Sequence, residues 1–338
     1  MNKRLMFRSA IAVATALLLG ACSGDNSNSS NQYDDNRAQE IVLIAYDSFT
    51  PQDGIFDAFT AETGHTVKVV TGGDSGTVIS KAILSAGNPE ADVLWGVDNT
   101  SLSRVLDADV LDSHAAVNDG DICVNVDDKW FSERNLVPPS SLDDLVEPEY
   151  KNLLVVQDPV ASSPGLGFLL ATIAKFGEDN WQTFWTDLTN NGVLIAPDWT
   201  TAYYTNFSGS SGNGDRPLVV SYGSSPPAEV VFSDPPISEP PTSVMEASCF
   251  RQTEYAGVLR GTTKADAAEQ LLEYLQGVTF QESLPLSLFV FPINPDAQLP
   301  EVFQKFAVRP ANSLTLNPDT ISEKRNEWLE QWREVALS

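Results

Sequence analysis

The chain has 338 residues, with 46 Asp and Glu against 20 Lys and Arg, for a formal net charge of −26. Such a surface repels nucleic acid and anionic lipid, which excludes a nucleic-acid module. Only two histidines exist, His65 and His114, so a histidine-based metal site or a Ser-His-Asp triad has little material.

Residues 1–22 read as an export signal rather than as fold: Lys3, Arg4 and Arg8 precede the short apolar run AIAVATALLLGAC. The run is too short for a spanning helix. LGAC (Leu19 to Cys22) looks like a bacterial lipobox, which predicts cleavage before Cys22 and lipidation of that cysteine. Residues 23–38, polar and low in complexity, read as a disordered tether. No later segment is long and apolar enough to span a bilayer, which places the domain outside the membrane. What remains is long enough for two lobes with separate cores.

IVLIAY (41–46) reads as a strand, GIFDAFTAETG (54–64) as a helix, and HTVKVVTG (65–72) as the next strand. SGTVISKAILSAG (75–87) is helical, with Ser75 as its cap and Gly87 as its stop, and ADVLWGV (91–97) is a buried strand. This alternation predicts a mostly parallel α/β sheet flanked by helices. Ligands of such sheets bind at the carboxyl ends of strands. AYDSF, TGGDSG and GVDNTS lie there, carrying Tyr46, Asp47, Asp74 and Asp98.

GDICVNVDD (120–128) reads as a strand, SSLDDLVEPEY (140–150) as a capped helix and NLLVVQDP (152–159) as a strand. In DPVASSPGLGFLLATIAKFG (158–177), Phe168, Leu169, Ile173 and Phe176 recur at helical spacing and Gly177 stops the run. Ser162, Ser163, Pro164, Gly165 and Gly167 crowd the helix start. They read either as capping or as an anion seat of free N–H groups. In DNWQTFWTDLTNNG (179–192), Trp181, Phe184, Trp185 and Leu188 share one helical face and are read as core. DWTTAYYTNF (198–207) follows, its Trp199 among polar neighbours, then a loop at SSGNG and the strand RPLVVSYGSSP (216–226). SDPPISEPPTSV (233–244) is too rich in proline for a central element, and SCFRQTEYAGVL (248–259) is a strand. KADAAEQLLEYLQGV (264–278) and PDTISEKRNEWLEQWREVAL (318–337) are amphipathic helices. Cys123 and Cys249, the cysteines left after lipidation, read first as a disulfide in an oxidising exterior, joining two crossover strands.

Taken in order, YDSF (46–49), ADVLWGVDN (91–99), QDPVASSPGLGFLL (157–170), DWTTAYY (198–204), LVVSYGSSP (218–226), FPINP (291–295) and RNEWLEQWREVA (325–336) resemble the thiamine-binding proteins of ABC importers. The resemblance implies a two-lobed type II periplasmic-binding-protein fold, each lobe a mostly parallel sheet, joined by crossover hinge strands. It implies a first lobe of 39–120 plus 250–305 and a second of 121–249 plus 306–338. It further implies a solute-binding lipoprotein without enzymatic activity or cofactor, monomeric, delivering thiamine or its mono- or diphosphate to a permease.

Carried over by position, the resemblance assigns ligand contacts to Tyr46, Asp47, Asp74, Asp98, Trp199, Tyr203, Tyr222 and Phe289. Phosphate falls to Ser162, Ser163 and Gly165 at the helix mouth, with hydroxyls from Ser224 and Ser225. Three departures stand out. Ala228 occupies a position where relatives carry an aromatic residue, Phe289 occupies that of a tryptophan, and the Asp112–Gly120 segment is short. Two rival readings share the architecture. A ferric-ion binder would use Tyr203 and Tyr204 as phenolate ligands. A thiaminase-like enzyme would use Cys123 as its nucleophile.

Overall fold

A computed structural model describes residues 38–210 and 214–337. The signal, the lipobox Cys22, the tether and most of the SSGNG loop lie outside the described residues. The first half of the chain builds β1 (Glu40–Ala45), α1 (Asp57–Thr63), β2 (Thr66–Thr71), α2 (Ser75–Leu84), β3 (Val93–Asp98), α3 (Leu102–Asp107), β4 (Leu111–Asp127) and α4 (Asp128–Arg134). Then follow β5 (Leu154–Gln157), α5 (Ser163–Phe176), α6 (Trp181–Asn190), β6 (Leu194–Ala196), β7 (Leu218–Tyr222), α7 (Pro226–Val231) and β8 (Thr242–Leu259). The chain ends with α8 (Ala265–Gln276), α9 (Val278–Gln281), α10 (Leu284–Ser287), β9 (Phe291–Pro292), α11 (Glu301–Phe306) and α12 (Pro318–Ala336).

One sheet runs in the order β2-β1-β3-β8-β4-β7-β5-β6, with β9 beside β4. Parallel pairs occupy both ends, β1 with β2 and β3, and β5 with β6 and β7. Between them β4 and β8 pair antiparallel along most of their length, from Leu111↔Leu259 to Asp127↔Thr242. The short 112–120 segment is thus the first half of one long crossover strand. Period-two side-chain alternation sends β1 residues to both faces. Ile41, Leu43 and Ala45 meet Trp95, Leu271 and Phe280 on one face, while Val42 and Ile44 meet Val78, Ile79 and Val105 on the other. At the opposite end, Val156 and Val220 face α5, α6 and α12, whereas Val155 and Val219 face Ala202, Tyr203 and Phe207. Each end is therefore a helix-covered, mostly parallel sheet with its own cores, as expected of the two-lobed fold.

Cys123 of β4 is bonded to Cys249 of β8, and both are buried. The four aromatic and apolar residues of α6 are buried, as their spacing predicts. Two local expectations fail. SSLDDLVEPEY forms two 3-10 turns, Asp143–Val146 and Pro148–Tyr150, because Pro148 lacks an N–H and biases Glu147 to extended backbone. The cap of α2 is Asp74, whose carboxylate accepts the Ser75 N–H at 2.8 Å, rather than Ser75 itself, and the helix ends at Leu84, before Gly87. Thr201–Asn206 forms a π-helical turn that no sequence signal announced.

Candidate functional site

The strand ends of the β1–β3 half face the β5–β7 half across a cleft that is closed. Among the described residues, hydrogen bonds bridge it. Trp199 N–H donates to Asp74 Oδ2 at 3.1 Å, Gly76 N–H to Ala161 O at 3.0 Å, Ser224 Oγ to Phe289 O at 2.6 Å, and Ser163 Oγ to Asp98 Oδ2.

A cavity of about 270 Å³ remains inside. Eight of the thirteen ligand positions expected from sequence line it: Tyr46, Asp47, Asp74, Trp199, Tyr203, Tyr222, Ser225 and Phe289. Its aromatic wall is built from the π-helical turn. Trp199 stacks on Tyr203 with ring centroids 5.0 Å apart and planes 19° from parallel. Trp199 is fixed by its indole N–H, which donates to Ser221 Oγ at 3.0 Å, and Tyr203 by its hydroxyl, which donates to Glu229 at 2.8 Å. Tyr46 and Tyr222 form the floor where the crossover strands pass. Two glycines make room for them. A Cβ on Gly96 would stand 2.5 Å from the Tyr46 ring, and one on Gly120 2.9 Å from the Tyr222 ring. Gly96 also holds φ +106, a conformation that side-chain-bearing residues rarely adopt.

The other five positions do not reach the cavity. Asp98 is 1 % exposed and is spent on Thr100 and Ser163. Ser163 is correspondingly engaged across the cleft by Asp98 and does not line the cavity. Gly165 packs against the end of β5, where a Cβ would stand 2.5 Å from the carbonyl oxygen of Gln157. Ser162 is buried; its hydroxyl makes no well-formed hydrogen bond, though it lies close enough to Asp74 to favour that carboxylate's ionised form. Ser224 is committed to the Phe289 carbonyl. The mouth of α5 is therefore sealed by α2 and Asp98, and of its residues only Pro164 lines the cavity.

Sequence reading missed Ser48, Thr50, Ser75, Thr200, Phe232, Ser287, Leu288 and Val290 as lining residues. Phe232 accounts for the departure at Ala228: one helical turn later, it lines the cavity and packs edge-on against Phe289 at 5.5 Å. Phe289 carries φ +55, outside the usual range for a residue with a side chain. Also missed was Glu254 of β8, 1 % exposed behind the floor. Its Oε2 accepts the Tyr46 hydroxyl at 3.1 Å and Asn118 Nδ2 at 2.9 Å.

The electrostatics are one-sided. Asp47 and Asp74 line the cavity and none of the described lining residues is Lys or Arg. Burial raises the Asp74 carboxyl above its usual range, against the opposing effect of the nearby Ser162 hydroxyl and of the hydrogen bonds from Ser75 and Trp199. Burial, aided by Asp98 and Asp74, pushes Glu254 up to about 7. Tyr46, Tyr203 and Tyr222 are all raised well above 10, chiefly by burial, so their rings remain neutral π donors. An aromatic, acid-backed cavity suits a flat cation. Cys123, bonded and buried, offers no thiolate nucleophile.

Two α/β halves that meet over a small lined cavity form a geometry suited to holding a small ligand. Comparison with known proteins agrees. Residues 92–310 match the family model described as bacterial extracellular solute-binding protein, and the chain belongs to that family. Among curated relatives, the thiamine-binding periplasmic protein of Salmonella typhimurium is 26% identical over 88% of this chain and 93% of its own length. That of Escherichia coli is 27% identical over the same shares. A solved periplasmic thiamin binding protein superposes with a TM-score of 0.77 at 22% identity, covering 88% of this chain and 96% of that one. Iron-bound HitA from Pseudomonas aeruginosa superposes with a TM-score of 0.68 at 19% identity, covering 88% and 99%.

Proposed function

We propose that the chain captures thiamine between its lobes and delivers it to an ABC importer, while anchored to the membrane through lipidated Cys22. In this reading the lobes are 39–120 with 250–305 and 121–249 with 306–338, with β4 and β8 as the hinge strands. The observation that carries this reading is the pairing of a Trp199–Tyr203 stack and a Tyr46–Tyr222 floor with two lining aspartates and no lining base. A permanently cationic thiazolium gains ~0.5–2 kcal/mol over a desolvated ring face, and an enclosed carboxylate adds Coulomb attraction.

The same lining disfavours an anionic tail. The hydroxyl of Ser163 and the backbone around Gly165 are engaged elsewhere, so the α5 mouth offers a phosphate no free seat in the closed state. Free thiamine is therefore the preferred form over its mono- and diphosphate. Calorimetric titration of the three ligands tests both parts. Saturable heat with thiamine, and weaker binding of each ester, is the expected outcome. No heat with any of the three defeats the function, whereas equal affinity for all three defeats only the preference.

A further inference from the structure

On the side of α12 that faces α2 and α3, two adjoining cavities of about 360 and 280 Å³ share Arg104, Arg325 and Asn326. Neither shares a lining residue with the aromatic cavity. Arg333 joins the second, and Ser80, Ser103 and Ser322 supply hydroxyls. In a chain with only 20 basic residues, three arginines gathered here are conspicuous. None of them forms an ion pair among the described residues. Arg104 donates to Ser80 Oγ at 3.2 Å. Arg325 is only 7 % exposed, and its Nε, shielded from solvent, has no hydrogen-bond acceptor.

A guanidinium taken out of water without an acceptor is costly, and a second cation beside it adds repulsion. Burial and the neighbouring Arg104 accordingly lower Arg325 to about 10, and Asp98 offsets this only in part. Asp107 and Glu330 also border the cavities, but neither is bonded to an arginine. Planar guanidinium forks match the oxygens of a phosphate-type anion, which would satisfy the orphaned Nε and neutralise the pair.

We propose that these cavities form an anion site, in which Arg104, Arg325 and Arg333 hold a phosphate-type oxyanion that cross-links α12 to α2 and α3. The site shares no lining residue with the aromatic cavity, but it joins helices of opposite lobes and so belongs to the closed arrangement. Titration calorimetry of the purified full chain with inorganic phosphate, and separately with sulfate, tests it both without thiamine and with thiamine at saturation. The wild type should bind at least one of the two. Arg104→Gln should weaken that binding by about tenfold, as expected for a lost charged hydrogen bond, and Arg104→Gln with Arg333→Gln further. Both positions are accessible enough to change without unfolding the chain, which circular dichroism checks. Arg325→Lys, which keeps the charge but loses the fork, should weaken binding less than the double change. No binding of either anion by the wild type, or equal affinity in the folded double variant, overturns the proposal.

Discussion

Replacing Asp74 by Asn separates the electrostatic role of this residue from its structural one. The carboxylate caps α2 through the Ser75 N–H and closes the cleft through the Trp199 N–H. It also lines the cavity. A charge pair ~4 Å apart is worth about 4 kcal/mol at an effective dielectric of ~20. Asn keeps the size and one acceptor oxygen, so about half of that, ~2 kcal/mol, should be lost. Thiamine affinity should then fall about thirtyfold. Stability should not follow. The folded pKa of Asp74 is raised, so its ionisation at neutral pH opposes folding. That penalty is absent below the unfolded pKa and grows as pH rises through the folded value. Asn removes it, at the expense of one backbone hydrogen bond worth ~1 kcal/mol. The unliganded melting temperature should stay near that of the wild type. Calorimetry with thiamine and with an uncharged aminopyrimidine of similar shape reads the difference. If both ligands weaken equally, or thiamine affinity stays within about threefold of wild type, the carboxylate does not face the cation and the reasoning fails.

Glu254, raised to about 7, gives a pH signature. Its protonated form is favoured in the fold, so its contribution to stability is full below about 4.5 and is lost as pH rises through about 7. A cation bound nearby favours the ionised form, so thiamine affinity should rise from about pH 6 to 8 with proton release; Glu254→Gln should flatten both trends. Gly96→Ala places a methyl group on the Tyr46 ring at a left-handed position and should weaken thiamine binding by tenfold or more. Near-UV circular dichroism would show the displaced tyrosine in a chain that still folds. Ser163→Ala removes the hydroxyl that holds Asp98 and should lower affinity for thiamine and its monophosphate by the same factor; a loss confined to the monophosphate would restore the phosphate seat. Breaking the Cys123–Cys249 bond, with a sequence separation of 126, should cost up to ~5 kcal/mol of stability in chemical denaturation.

The elements of this fold were legible where apolar periodicity is strong. Trp181, Phe184, Trp185 and Leu188 mark a buried helical face, and the β1–β3 alternation marks a parallel sheet. Pro148 divided a helix that acidic and apolar spacing had favoured, because a missing N–H outweighs a weak pattern. The site was legible at a strand end for Tyr46, and through the family resemblance for Trp199, Tyr203 and Tyr222. It was not legible where the partner is distant in sequence. Serines at the α5 mouth look like caps or ligands alike, and the deciding contact of Ser163, with Asp98, lies 65 positions away. Glu254 stands in the polar stretch RQTE of β8, which reads as solvent-facing. Only the central position of β8, between β3 and β4, buries it. Phe232 follows no periodic signal at all, and its contact with Phe289 comes from the β5–β7 half of the fold meeting the β1–β3 half.

The most direct measurement is a crystal structure of the chain grown with thiamine. The account predicts the vitamin enclosed in the aromatic cavity, with a ring against Trp199 or Tyr222 and the thiazolium nearest Asp74 or Asp47. A closed cleft holding a different molecule, or thiamine bound away from Trp199 and both aspartates, would contradict it.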